Sequence, residues 1–366
     1  MFSKQLSRIS YSGVATFRDI EGAIERIEAG IRPSLEEAMT LLQVTDYQQY
    51  YRIMDVASRI TEENHSNKIG LIAPLYFSNV CRSECSCCDM SRTNRHLERI
   101  TLEYLPFQEE LNILKDIGYK TIELVGGGFP LQSGLGQKFL QFMEYGKQQV
   151  PNWAFFMDTF EEQDYHQFAD PNITMIHWQE SYDNESYHRM VKAGPKFDFE
   201  KRLNAQDFWI KAGGRKLGLS ILAGLSPDFL KDVFLILAHG KYLEGTYGIS
   251  PSCFGTVRMQ QIRSGNIEQF AKISDEHMYL VTALYRTMFP KSNIITTSRE
   301  PQKVIAKQLS AGATFTNTTC TTIPGGYVSL DAENDNGQFC HENPSIETVK
   351  ATVESVGKTI DWEKEL

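Results

Sequence analysis

Four cysteines crowd into eight residues, Cys81-Arg82-Ser83-Glu84-Cys85-Ser86-Cys87-Cys88, and three of them, Cys81, Cys85 and Cys88, fall in the spacing C-x3-C-x2-C. Thiolates that close together on one loop can hold three irons of a [4Fe–4S] cubane, leaving the fourth iron without a protein ligand and open to a small molecule. An open iron does chemistry on what it binds. The alternative is a zinc site, which wants a fourth Cys or His; Cys320, Cys340 and His96 are available, but none has a paired short spacing. Cys87 reads as a spare thiol. Seven cysteines, an odd number in an acidic chain, do not look like a disulfide framework and point to a reducing, cytoplasmic setting.

The elements that carry this loop are legible on either side of it. Gly70-Leu71-Ile72-Ala73-Pro74-Leu75-Tyr76 reads as a first strand, with Pro74 marking a bulge or its end. Further strands are expected at Thr121 to Val125, Ala154 to Met157, Ile173 to Trp178, Lys216 to Leu222, Gly248 to Ser250, Asn293 to Thr297 and Ala313 to Thr316. Between them, helical patterns cover Leu105 to Ile117, Ala205 to Ala212, Asp228 to Leu243, Asp275 to Phe289 and Gln302 to Leu309. That alternation predicts an α/β fold built on a parallel sheet, and about eight strands favour a closed (β/α)8 TIM-type barrel over an open doubly wound sheet. The cysteine loop follows the C-terminal end of a strand, where barrel active sites lie.

The first sixty-odd residues read as helices, with a capped start at Pro33-Ser34-Leu35-Glu36-Glu37-Ala38. The expected organisation is therefore an N-terminal helical extension over 1–65, the barrel over 66–330, and a C-terminal segment over 331–366 ending in one helix and a tail. With 366 residues, 41% of them apolar, the chain can bury a large core. Its net charge of −9 lacks the basic footprint that nucleic acid or an anionic membrane surface needs. No apolar run approaches the roughly 18 residues of a membrane span, and the N-terminus carries no apolar signal-peptide core.

The loop resembles that of the radical S-adenosylmethionine (SAM) enzymes, and the resemblance extends beyond the cysteines. Pro74-Leu75-Tyr76-Phe77-Ser78-Asn79, Gln179-Glu180-Ser181-Tyr182, Gly194-Pro195-Lys196 with Asp198, Arg202-Leu203, Ala223-Gly224-Leu225, Ser298-Arg299-Glu300-Pro301 and Pro324-Gly325-Gly326-Tyr327 are similar to the aromatic-amino-acid lyase group. That group comprises the tyrosine lyases ThiH and HydG and the tryptophan lyase NosL. The resemblance implies a [4Fe–4S] cluster whose open iron is chelated by SAM, and a reduced flavodoxin- or ferredoxin-type electron donor. It implies a 5′-deoxyadenosyl radical that takes hydrogen from the amino group of a small amino-acid substrate, after which a bond at Cα breaks. Tyr76 and Arg299 are expected at the substrate, Arg299 as a planar fork for its carboxylate. Glu180 and Arg202 are expected around SAM, or else as a mutual ion pair. Asp158 and Glu161 are candidates for ribose hydroxyls.

Three departures bear on these expectations. Where the lyases carry an acid at the end of the second barrel strand, this chain reads Val125-Gly126-Gly127-Gly128-Phe129; the backbone can still approach SAM closely, but the acid for its ammonium is missing. Glu123 substitutes only if it points inward. Cys87 and Asp89 replace the aromatic and glycine that flank the third cysteine in tyrosine lyases. The 250–263 segment does not match the lyases' corresponding strand. Asp89-Met90-Ser91-Arg92-Thr93-Asn94-Arg95-His96-Leu97-Glu98-Arg99 and Glu162-Gln163-Asp164 are similar to the tryptophan lyase, whereas Pro324-Gly325-Gly326-Tyr327 is similar to the tyrosine lyases. Cys320 and Cys340 do not form a C-x2-C, which argues against a second cluster. A different amino-acid-like substrate, or a non-catalytic cluster or zinc protein, are the competing functions.

Overall fold

The computed structural model describes residues 1–366 except 12, 261, 265–270, 330–336 and 340. Its strands are β1 (Lys68–Tyr76), β2 (Glu84–Cys85), β3 (Thr121–Val125), β4 (Asn152–Phe156), β5 (Thr174–Glu180), β6 (Val191–Ala193), β7 (Lys216–Ala223), β8 (Cys253–Arg258), β9 (Asn293–Ile295), β10 (Phe315–Thr316) and β11 (Thr359–Ile360). The sheet runs β10-β9-β8-β7-β5-β4-β3-β1, all parallel, and β10 pairs back onto β1 at Gly70 and Leu71. The expected (β/α)8 barrel is therefore closed. Parallel strands wrapped by helices are buried on both faces, which is why β1 and β7 read as near-continuous apolar runs.

Alternation along each strand sorts side chains between two cores. Ile122 and Leu124 of β3 face the surrounding helices, in the large core, whereas Val125 packs with Tyr76 on the inner side. A layer of Ile72, Ala154, Ile176, Cys253 and Phe315 fills the bottom of the barrel, closed from below by Leu366. The open volume is left above this layer, at the C-terminal ends of the strands.

The capped helix start is present: Ser34 caps Leu35–Leu41, its hydroxyl accepting from the Glu37 N–H while the Glu37 carboxylate accepts from the Ser34 N–H. A longer helix, Tyr47–His65, leads into β1. Several expectations need correction. The strand expected at Gly248 to Ser250 lies instead at Cys253–Arg258, because Gly248 is the left-handed C-cap of helix Phe229–Tyr247. Pro74 does not interrupt β1, which pairs with β3 through Tyr76; β10 reaches only Gly70 and Leu71, so β1 has no partner on that side for Pro74 to disrupt. Helix Gly134–Gln149 follows β3 where no element was expected. The C-terminal tail is more than a tail: after helix Ile346–Glu354, β11 pairs with β1 at Lys68 and Ile69.

Candidate active site

One cavity opens at the mouth of the barrel, and Tyr76, Cys81, Cys85, Cys88, Gly126, Gly127, Gly128, Asp158, Glu180, Arg202 and Arg299 all line it. The loop after β1 bends its sulfurs toward the strand ends. β2, within that loop, pairs antiparallel with β6, setting Cys85 opposite Val191, and the turn at Gly194-Pro195-Lys196 that follows packs on Arg82 and Ser83, where the Lys196 N–H donates to Ser83 Oγ at 3.0 Å. On the other side, the Gly128 N–H donates to Cys81 Sγ at 3.2 Å and the Arg82 N–H to the Gly128 carbonyl at 2.9 Å. That approach requires small residues: a Cβ on Gly127 would stand 2.3 Å from the Val80 carbonyl oxygen, and one on Gly128 would stand 2.4 Å from Asp158 Oδ2.

The thiols are suited to iron. Burial pushes Cys81 and Cys85 above the ordinary thiol range and Cys88 up to about 11, so each thiol keeps its proton until a bound metal ion displaces it. N–H donors are aimed at the sulfurs, as around iron–sulfur clusters: besides Gly128, Ser83 N–H reaches Cys81 Sγ at 3.4 Å and Gln338 Nε2 reaches Cys88 Sγ at 3.5 Å. Among the described residues, no three His, Cys, Asp or Glu side chains converge as ligands of a single metal ion; a cubane offers each thiolate its own corner. Cys87 lines the cavity with its Sγ 2.9 Å from Met190 Sδ. His96 is exposed and outside the cavity, Cys320 donates to the Thr318 carbonyl at 3.3 Å, and Cys340 lies outside the described residues.

The charged groups pair differently from the sequence expectation. Glu180 and Arg202 are not each other's partner. Arg202, fully buried, donates to Asp158 at 2.7 Å and to the Trp178 carbonyl, leaving its Nε without a partner. Asp158 also accepts from Ser83 Oγ at 3.1 Å, tying the cysteine loop to β4. Glu180 pairs with Lys196, a residue the sequence left without a role. Burial lowers the Lys196 ammonium, but the Glu180 carboxylate outweighs it and holds the proton above the ordinary range. Glu180 adopts φ 72, a strained backbone for a non-glycine residue, where β5 shifts register against β7. Glu161 pairs at 2.8 Å with Lys201 outside the cavity, which removes it as a ribose ligand.

Arg299 is not a surface side chain. It enters the cavity past β9, its guanidinium carbon 3.5 Å from the centre of the Phe339 ring, and no carboxylate among the described residues pairs with it. The neighbouring Arg258 is instead committed to Glu300 and, at 2.7 Å, to Asp275. Tyr76 donates its hydroxyl to Gln338 Oε1 at 2.5 Å, so Gln338 links Tyr76 to Cys88. Gln338 and Phe339 come from a segment that the sequence reading placed outside the barrel. Glu123 does point inward, but deep in the barrel, where its charge is felt by Tyr76, Cys253 and Cys320.

No family model matches the chain. The 2-iminoacetate synthase of Escherichia coli K12 is 26% identical over 354 residues, 95% of this chain and 90% of that protein. The 2-iminoacetate synthase of Salmonella typhimurium is 24% identical over 345 residues, 93% of this chain and 89% of that protein. Among solved structures, the FeFe-hydrogenase maturase HydG from Carboxydothermus hydrogenoformans superposes with a TM-score of 0.85 at 28% identity, covering 94% of this chain and 80% of that one. The chain is homologous to the radical SAM tyrosine lyases. Methylornithine synthase (PylB), at TM-score 0.72 and 19% identity, shares the fold. Members of the radical SAM family use a [4Fe–4S] cluster and SAM, and the donor set around Cys81, Cys85 and Cys88 suits such a cluster.

Proposed function

We propose that the chain is a radical SAM carbon–carbon lyase that fragments an aromatic L-amino acid, tyrosine or tryptophan, by cleavage of a bond at Cα. The activity named for the Escherichia coli and Salmonella relatives favours tyrosine. The observation that carries the reading is that three cysteines and an arginine that pairs with no carboxylate among the described residues share one cavity at the barrel mouth. Cys81, Cys85 and Cys88 would hold the cluster, and Gly126, Gly127 and Gly128 would let SAM approach the strand end. Bound there, cluster and SAM supply on one-electron reduction a carbon-centred radical that takes hydrogen from a substrate amino group.

The chain's own part is positional. Arg299 fixes the substrate carboxylate, and Phe339 beneath the guanidinium restricts its plane. Tyr76, held by Gln338, orients the substrate's amino end. The Glu180–Lys196 and Asp158–Arg202 pairs offer fixed charges of both signs to a zwitterionic cofactor, in walls that exclude water. The electron donor we propose is a reduced flavodoxin or ferredoxin, and the setting cytoplasmic; among the described residues no helix is long and apolar enough to cross a membrane. The test is anaerobic reconstitution with SAM, reductant and each of the twenty amino acids, following 5′-deoxyadenosine and products by chromatography. Tyrosine or tryptophan should stimulate 5′-deoxyadenosine formation and be consumed; stimulation by a non-aromatic amino acid alone overturns the reading.

A further inference from the structure

Below the mouth, the cavity wall includes Phe156 and Trp178, whose rings stand edge to face at 6.0 Å. That wall also includes Glu123, placed on β3 opposite Pro74 of β1 and Ala154 of β4. Among the described residues no hydrogen bond reaches the Glu123 carboxyl, and Oε1 is buried without a partner. Asn317 Oδ1, also on the cavity wall, is a second buried acceptor without a partner. Buried acceptors left open cost free energy, so a fold keeps them only where something else satisfies them. Among the described residues no cation compensates its charge: burial pushes its carboxyl up to about 8. A cation would be expected beside a structural carboxylate at this depth.

Resting on the lyase reading above, we propose that Glu123 is a specificity-determining residue, the acceptor for an O–H or N–H donor on the far end of the substrate's aromatic ring. The substrate's carboxylate is then held at the mouth by Arg299, its ring packs against the wall that Phe156 and Trp178 form, and its phenol or indole donor meets Glu123. The barrel thus measures its substrate from both ends. A ring without a donor leaves Glu123 unsatisfied and is rejected. This explains why an acid stands in a layer that otherwise suits apolar residues.

The test compares tyrosine, tryptophan and phenylalanine as substrates of the reconstituted holoenzyme and of its Glu123→Leu variant, each assayed for substrate loss and 5′-deoxyadenosine. Wild type should prefer the donor-bearing substrate over phenylalanine by about 100-fold or more in kcat/KM, since a site built to hydrogen-bond a donor rejects the analogue lacking it. Glu123→Leu should bring that ratio to within about tenfold, because an apolar wall discriminates weakly. Glu123→Gln, which keeps an acceptor, should retain most of the preference. A second reading needs no variant to fold: the carboxylic-acid infrared band of the wild-type holoenzyme should shift on binding tyrosine or tryptophan and not phenylalanine. An unchanged substrate ratio in Glu123→Leu, or a band indifferent to the donor, overturns the role of Glu123 alone. Consumption of neither tyrosine nor tryptophan by wild type overturns the lyase reading and this inference with it.

Discussion

Arg299, past the end of β9, and Glu123, within β3, line the same cavity, and each is without something that a structural residue would have among the described residues. Among the described residues Arg299 lacks a carboxylate such as its neighbour Arg258 has in Glu300, and burial pushes its guanidinium below the ordinary range. A substrate carboxylate would restore the balance. Arg299→Ala should raise KM for the aromatic substrate about 100-fold, the order of one charged hydrogen-bonded contact. It should also let SAM cleavage run without substrate consumption, read as the ratio of 5′-deoxyadenosine to product; an unchanged ratio and KM would remove Arg299 from the site. Glu123 has a signature in stability. The unfolded carboxyl titrates in the ordinary range and the folded one near 8, so between those values the folded chain holds the extra proton. Stability is therefore lost as pH rises through that window, by a few kcal/mol at most. Glu123→Leu should flatten this decline in urea melts taken from pH 5 to 9, and a decline equal to wild type would show that Glu123 titrates normally.

At the scale of elements, the site is made where loops from distant parts of the chain meet the ends of β1, β3, β4 and β5. Gly128 is the tightest of these junctions. Gly128→Ala drives a methyl into Asp158, which must then give up its geometry with Arg202 and Ser83. Overpacking of this kind costs about 1–3 kcal/mol; a lower urea midpoint and reduced iron loading should follow, and normal values of both would mean that the junction has room. The same scale explains what could be read from the sequence. Strands buried on both faces announce themselves as apolar runs, so β1, β3, β4, β5 and β7 were legible within a few residues. β8 was not, because Gly255 and Thr256 dilute its apolar signal and Gly248 mimics a strand boundary. β11 was invisible, since its partner Lys68 lies far away in sequence and nothing local demands a strand. Within the site, the cysteines were readable from spacing, whereas the partners of Glu180, Arg202 and Tyr76 were not: they are set by which loops fold over the mouth. Gln338 and Phe339 arrive from past the barrel and carry no motif.

The whole molecule works as a cup with a sealed floor. Leu366 joins Ile72, Ala154, Ile176, Cys253 and Phe315 beneath the cavity, and Asn293 Nδ2 holds the Glu365 carbonyl at 3.1 Å. Leu366→Ala should cost about 2 kcal/mol or more, the order for a buried leucine truncated where the surroundings cannot collapse; a urea midpoint equal to wild type would show that the floor is closed without it. Chemistry is confined to the other end, where the loop after β1 faces the strand termini. There the account depends on three thiolates that leave one iron open. Anaerobically reconstituted chain, assayed for iron and sulfide and examined by electron paramagnetic resonance after reduction, tests this directly. The account predicts about four irons and four sulfides per chain, a reduced-cluster spectrum that changes when SAM is added, and loss of both in Cys85→Ala. One zinc without iron, or a cluster spectrum indifferent to SAM, would contradict it.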